Sequence, residues 1–504
     1  MALLAVSARL AAVDGVSRAS VAMATAVNVA AALEAGAIGP IDAGPADVLV
    51  VVTAQNEALA QDALEAAWTA LTVAVVSGGG SAGATADEPA TCIADALALL
   101  TSEPRPSVAL ISVPGPFAAA EARKALVAGM HVMIFSDNVA VQAEVELKQL
   151  GRSLGLLVMG PDCGTAILDG MPLAFANEVR RGPVGLVGAS GTGLQEVSTQ
   201  LDRLGVGVSQ LIGTGGRDLS AAVGGLSSEA ALLLLGADPA TEVIVVVSKP
   251  PDEVVARRVL GVAATLGKPV VAVLLGSEVS RIAPAGVHGA STLAAAAQLA
   301  AQLVLGSPPS ARPSGDGEPG EAVDGSHVAD GAASRRLLRG LFSGGTLGYE
   351  AQLVLREHGL EVASNAPAPG SARLIAGAGL HGHVVIDLGA DEFTDGRPHP
   401  MIDPATRDRW VAEALEDPAV AVVLLDVVLG HGGSPDPIGG LVALLASRPS
   451  GPEVVVHVCG TDRDPIPRHL VVEALVRCGA LVAPSNAAAA ALAARRVAAR
   501  GTRP

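Results

Sequence analysis

Short, predominantly apolar runs recur along this 504-residue chain, at 48–52, 73–76, 108–113, 132–135, 156–159, 184–187, 243–247 and 270–275, and again at 384–388, 421–428 and 454–458. Alanine-rich stretches with helical spacing separate them. A strand that is apolar on both faces lies in a sheet covered on both sides, and a helix between two such strands implies a right-handed crossover to a parallel neighbour. The expected fold class is therefore α/β with mostly parallel sheets. Aromatics make up only 2% of a chain that is 50% hydrophobic, so the cores must be built from Ala, Val and Leu.

At about 150 residues per domain, the length predicts three or four domains. The segment 306–334, GSPPSARPSGDGEPGEAVDGSHVADGAAS, replaces the apolar rhythm with Pro, Gly, Ser and Asp and reads as a flexible linker. The remaining divisions fall at 1–105, 106–181, 182–305 and 335–504. In the first of these, the run 16–24 followed by the alanine-rich 28–35 suggests a small α+β unit.

A formal net charge of -17 and a pI near 5.0 give a surface that repels polyanions, with no sustained Lys/Arg run to follow a phosphate backbone. Nucleic acid is excluded as a partner class. Cys92, Cys163, Cys459 and Cys478 are scattered without C-x-x-C spacing, so no disulfide framework or metal site is expected, and a reducing cytoplasm fits. No run of about 20 apolar residues and no basic leader is present, so no membrane association is expected. Exposed Ala and Leu on the helices leave a homo-oligomer possible.

The segment 182–220 carries the most chemical information. An apolar strand runs into Gly188-Ala189-Ser190-Gly191-Thr192-Gly193, and a helix follows with Leu194, Val197, Leu201 and Leu204 on one face. Glycines allow a sharp turn and close backbone approach, and Ser190 or Thr192 can cap the helix. Free N–H groups and the positive end of the helix dipole then face the carboxyl edge of the sheet, where an anion can dock. A tight connection with no ligand explains one such turn equally well.

Two more turns favour a ligand. Gly430-His431-Gly432-Gly433 follows the run 421–428 and precedes Ser434, Asp436 and Pro437, which suit a helix start. Ser343-Gly344-Gly345-Thr346 precedes a helix bearing Leu347, Ala351 and Val354 and closed by Gly359. Thr214-Gly215-Gly216-Arg217 offers a backbone nest with a guanidinium, and Lys249 ends another strand. The proline-stiffened loop 394–403 contains Arg397 and His399, residue types with few packing reasons to be there. Asp162 and Cys163 follow a strand at the same expected edge, where Cys163 is either a nucleophile or a buried inert thiol. His431 is either a ligand contact or a spacer.

Together these segments resemble the succinyl-CoA synthetase superfamily, and FdrA proteins most closely, over nearly the whole chain. Val113-Pro114-Gly115-Pro116-Phe117, Gly160-Pro161-Asp162-Cys163, Ser190-Gly191-Thr192 and Gly213-Thr214-Gly215-Gly216 follow the order of that superfamily's α-subunit. Asp387-Leu388-Gly389 and Gly430-His431-Gly432-Gly433 look like the carboxyl-terminal domain of its β-subunit. The resemblance implies a Rossmann-like CoA-binding-type region at 106–181 and flavodoxin-like domains at 182–305 and 335–504. It also implies that the Ser190 and Gly430 turns, from opposite sides of the linker, converge on one phosphate.

The chain departs from the synthetases in having no Gly-His-Ala-Gly phosphohistidine motif after the run 270–275. His288 stands in Gly286-Val287-His288-Gly289, further along. No early CoA loop and no ATP-grasp domain is evident, so neither CoA nor a nucleotide is required.

The leading reading implied by the resemblance is a carbamoyltransferase subunit with companion subunits, moving carbamoyl between oxamate and phosphate. Arg217 or Arg397 would hold the substrate carboxylate and His399 would shuttle a proton. The alternatives are an acid–CoA ligase of the synthetase type and a non-catalytic scaffold that binds an acyl phosphate or carboxylate.

Overall fold

Valine-rich runs buried on both faces make the central strands, and the alanine-rich segments between them make the helices that cover those strands. The computed structural model describes residues 6, 10, 13, 15–24, 28, 29, 32, 33, 43, 44, 47–76, 90, 92–100, 106–308, 335–374, 379–394, 397–447 and 451–501. Most of the segment read as a linker, residues 309–334, lies outside the described residues. The chain divides into a smaller unit, residues 1–101 with 395–398, and a larger one, residues 102–394 with 399–504.

In the smaller unit, β1 (Val16–Met23) pairs antiparallel with β2 (Val48–Ala54), followed by α1 (Glu57–Val76) and α2 (Ile93–Leu99). The run 73–76, expected as a strand, is the last turn of α1. Four apolar residues fit either structure, and continuity with the preceding helix decides between them.

The larger unit begins with β3 (Val108–Ile111), α3 (Gly115–Val127), β4 (His131–Ile134), α4 (Val141–Leu154) and β5 (Val158–Met159), a parallel three-stranded sheet in the order β3-β4-β5. An antiparallel pair follows, β6 (Thr165–Leu168) and β7 (Met171–Ala174). The chain then winds through β8 (Arg181–Ala189), α5 (Gly191–Arg203), β9 (Val208–Gly213), α6 (Leu226–Ala237), β10 (Val243–Ser248), α7 (Glu253–Ala264), β11 (Val270–Leu274), α8 (Val279–Ile282), β12 (Val287–Gly289) and α9 (Leu293–Leu305). These strands form a sheet in the order β12-β11-β10-β8-β9-β6-β7, parallel except at the β6-β7 edge.

Beyond the linker come β13 (Leu337–Phe342), α10 (Gly345–Glu357), β14 (Val362–Ser364), β15 (Ala372–Arg373), β16 (His383–Asp387), α11 (Asp391–Thr394) and α12 (Ala405–Glu416). The chain ends with β17 (Val420–Val428), α13 (Gly439–Ala446), β18 (Glu453–Cys459), α14 (Arg468–Arg477), β19 (Leu481–Ala483) and α15 (Asn486–Gly501). This second seven-stranded sheet is wholly parallel, in the order β15-β14-β16-β13-β17-β18-β19. The α/β parallel-sheet architecture is thus as expected.

One apolar core joins the two large sheets. It takes Leu194, Val197 and Leu201 from α5, Ala296 and Ala300 from α9, Leu347 and Ala351 from α10, and Ala489, Ala490 and Ala493 from α15. Alanine at these contacts lets the helices pack closely. Truncating Leu201, which is fully buried, to alanine would leave a cavity costing about 2–5 kcal/mol. This shared layer fixes the two carboxyl-side strand edges against one another.

Candidate active site

The central strands β8 and β13 each end in a glycine turn, and the helices that follow, α5 and α10, meet at their N-termini. Ser190 caps α5: its Oγ accepts from the Gly193 N–H at 3.2 Å and lies 2.7 Å from Thr346 Oγ1 in the first turn of α10. The approach depends on glycine. A Cβ at Gly344 would come within 3.0 Å of Thr192, and one at Gly193 within 3.1 Å of Thr346. The first N–H groups of each helix have no acceptor within the helix, and both dipoles bring partial positive charge to this junction.

The two helices are copies of one pattern. Gly191, Thr192, Glu196 and Gly205 correspond to Gly345, Thr346, Glu350 and Gly359 at one constant offset, and both closing glycines adopt positive φ. That identical spacing is the sequence signal that would have paired these two turns.

The expected partner turn, Gly430-His431-Gly432-Gly433, does not open a helix. α13 begins only at Gly439, whose N–H is capped by Asp436 at 2.8 Å. The Gly430 turn instead folds over the loop after β7: the His431 N–H donates to Ala176 O at 2.9 Å, and a Cβ on Gly430 would reach the Phe175 and Ala176 carbonyls at 2.8 Å. Leu429 O accepts from Asn177 Nδ2 at 2.9 Å and from Gln195 Nε2 at 3.3 Å. This turn therefore supports α5 from the side. Ser434, Asp436 and Pro437 create a local cap of their own, which is why the segment resembled a helix start. His431 Nε2 sits 3.4 Å from Glu178 Oε2 near the surface.

Around the junction stand three charged groups. Lys249, at the end of β10, is within electrostatic reach of both Asp162 and Asp387. Crowding by protein pushes Asp387 up to about 6, against the pull of Lys249 and the Gly389 N–H, which donates at 3.0 Å. Asp162, on the loop after β5, is likewise pushed to about 6, chiefly by the protein crowded around its carboxyl, with Lys249 pulling down and Asp137 and Asp391 pushing up. Both carboxyls are thus poised to exchange protons near neutrality. Asp162 takes a positive φ of 56 and donates its N–H to Ser136 O at 3.0 Å.

Thr214, Gly215 and Gly216 shape this Asp162 loop. Thr214 donates its N–H to Gly188 O at 2.9 Å, Gly215 packs on the Gly160-Pro161 backbone, and Gly216 faces the Asp162 carboxyl. Arg217 is committed elsewhere: its Nε donates to Glu144 Oε2 at 3.1 Å and its Nη2 to Val139 O at 2.8 Å. Behind it lies a buried cluster in which Lys148 pairs with Glu144 and Asp218, both at 2.8 Å. Arg217 therefore anchors α4 in this arrangement.

His399 accepts from the Met401 N–H through Nδ1 at 3.2 Å, which leaves the proton on Nε2, close to Gly389. Burial pushes its pKa down to about 4, so it stays neutral and can donate, and it takes up a second proton only in acid. Arg397 is exposed and belongs to the smaller unit.

Cys163 is buried, with Sγ 3.3 Å from Gly213 O, and burial pushes the thiol up to about 12; it is the inert thiol of the two readings. His288 pairs in register with Val271, three residues back from the end of β11 at Leu274, or about 10 Å behind the edge.

A further group escaped the sequence reading because its members are far apart. Glu196 Oε2 meets His457 Nε2 at 2.7 Å, and Asn486 reaches Glu196 through its N–H at 3.4 Å and Glu350 through Nδ2 at 2.8 Å. All four are buried. Burial pushes Glu196 up, but the His457 charge and hydrogen bond outweigh it and hold the acid at about 2. Burial pushes Glu350 to about 7. The network ties together the helices whose N-termini form the junction.

Residues 341–496 match the CoA-ligase family, residues 179–276 the CoA binding domain family and residues 1–88 the AllF heavy metal-associated domain family. The chain is 38% identical to the uncharacterized protein YahF of Escherichia coli over 506 residues, covering 96% of this chain and 94% of that protein. It is 28% identical to a mitochondrial succinate–CoA ligase [ADP-forming] alpha-2 subunit of Trichomonas vaginalis over 34% of this chain and 57% of that one. It is 30% identical to the ADP-forming sulfoacetate-CoA ligase subunit SauD of Bilophila wadsworthia over 28% and 50% respectively. It thus spans about half the length of each ligase subunit.

Residues 1–88 contain no cysteine and no histidine, so they offer neither a thiolate nor an imidazole to a heavy metal. Among the described residues no group of three His, Cys, Asp or Glu is placed to hold a metal ion, and no helix is long and apolar enough to cross a membrane.

Proposed function

We propose, for a chain that belongs to the family of Escherichia coli YahF within the succinyl-CoA synthetase-like superfamily, acid–CoA ligase-type chemistry in which an acyl phosphate is bound directly. The observation that carries this reading is the meeting of α5 and α10 at Ser190 and Thr346 beside Lys249. Phosphate oxygens would take the first N–H groups of α5 and the Lys249 ammonium. A nucleophile attacks the acyl carbon, the carbon–oxygen bond to phosphate breaks, phosphate leaves on α5, and the proton of the nucleophile passes to the Asp387 carboxylate. The neutral His399 supplies an N–H toward the acyl oxygen.

A directly bound acyl phosphate is favoured because His288 lies behind the strand edge, out of line for phosphate relay. The same point supports the finer reading drawn from the resemblance to FdrA: carbamoyl as the acyl group, moved between oxamate and phosphate with companion subunits. In the ligase version CoA is the acceptor and a nucleotide the phosphate source.

The test supplies the chain, alone and with the products of neighbouring genes, with oxalurate and phosphate and measures carbamoyl phosphate. A parallel series supplies short carboxylates with ATP and CoA and traps acyl phosphate as hydroxamate. Acyl phosphate in the first series supports the carbamoyl reading, and in the second the ligase reading. None in any combination overturns the proposal.

A further inference from the structure

The two glycine turns are alike in sequence but not in charge. At α10 the carboxylate of Asp426, fully buried on β17, accepts from the Ser343 N–H and the Gly344 N–H, both at 2.7 Å. Asp387 presses on the next residue, since a Cβ at Gly345 would fall 2.5 Å from its Oδ2. In the other sheet, β8 takes the place of β13. Pairing Leu341 with Leu425 and Val187 with Val246 makes Val247 the counterpart of Asp426. Phe342 pairs with Asp387 as Gly188 pairs with Gly213, so Gly213 is the counterpart of Asp387. Neither counterpart carries charge. The α5 turn has no internal carboxylate, and Lys249 stands just past the end of its neighbouring strand.

We infer that the Asp426 carboxyl fills the α10 turn, so that the paired turns accept a single ligand oxyanion, of orthophosphate size, at α5. A carboxylate already satisfied by two backbone donors is not displaced by a ligand that must first shed its water. Asp426 therefore sets specificity: a monophosphate or acyl phosphate fits, and a second phosphoryl group spanning both turns does not. The assignment rests on the proposed function only for the identity of the α5 ligand.

The experiment uses the full chain and inorganic phosphate, with stoichiometry from calorimetry and location from amide hydrogen exchange. The wild type is expected to bind one phosphate, which slows exchange at Gly191 and Thr192 and leaves Ser343 and Gly344 unchanged. Asp426→Ser is expected to gain a second phosphate, with Ser343 and Gly344 becoming phosphate-sensitive. Two phosphates on the wild type, or protection at Ser343 and Gly344 in the wild type, overturns the inference without using any variant. If the wild type binds none while Asp426→Ser binds one, the proposed function falls and the inferred α5 ligand site falls with it. If a folded Asp426→Ser gains nothing, the inference falls.

Discussion

Ser190 and Thr346, 156 positions apart, share a hydrogen bond of 2.7 Å between their hydroxyl oxygens. Each hydroxyl stands in the opening turn of a different helix, so the bond fixes the distance between two dipole ends. Ser190 also caps α5, whereas Thr346 does not cap α10.

The two roles predict different costs. Ser190→Ala loses cap and bridge and should cost about 1–2 kcal/mol, while Thr346→Val loses only the bridge, about 1 kcal/mol. A double-mutant cycle in urea should show a coupling of about 1 kcal/mol; strictly additive variants would mean the bridge contributes nothing.

Lys249→Met removes the ammonium that pulls Asp162 and Asp387 down, so both carboxyls rise above about 6. With Asp387 acting as the base, the acid limb of kcat/KM moves to higher pH, and phosphate affinity falls about tenfold or more, by analogy with other preorganised anion contacts. A limb that stays in place would remove Lys249 from the electrostatics of the site.

Glu350 gives stability a pH window. Its folded pKa, about 7, lies above the ordinary 4.5, so its contribution is fully present below pH 4.5 and is lost as pH rises through about 7. Glu350→Gln should flatten the decline in denaturation free energy between pH 5 and 8. Glu196 runs the other way: held at about 2, it stabilises above pH 4.5 and fails only as pH falls through about 2. An unchanged slope in Glu350→Gln would assign the decline to another group.

Cys163, pushed to about 12 and enclosed, should resist thiol reagents at pH 8 until the protein unfolds. Cys163→Ala should leave kcat within about twofold, since an inert thiol contributes packing and not chemistry. Rapid labelling of Cys163 in the native state would restore it as a candidate nucleophile.

The long valine runs were legible because a strand buried on both faces has no other way to hide them. β13 was not, because Arg339 and Gly340 interrupt it; the structure buries Arg339 by letting Nη1 donate to Gly382 O at 2.6 Å. The short strands β6, β7, β12 and β19 carry too few residues for a periodic signal. At the site, the Ser190 turn was legible from its glycines, but its partner was expected at 430–433, whereas the helix start that meets α5 lies at 343–346. Local cap chemistry looks the same in both places, and only the contact across the junction separates them. Lys249 drew attention as a strand-end cation, yet its tie to Asp162 and Asp387 depends on three strand ends meeting.

Both turns belong to one polypeptide, and that continuity has a kinetic consequence. Assembly of the junction is first order, so dilution that would separate two subunits leaves it intact. A single cut between residues 308 and 335 would convert it into a second-order encounter. The activity of the cut protein should then depend on concentration where that of the whole chain does not.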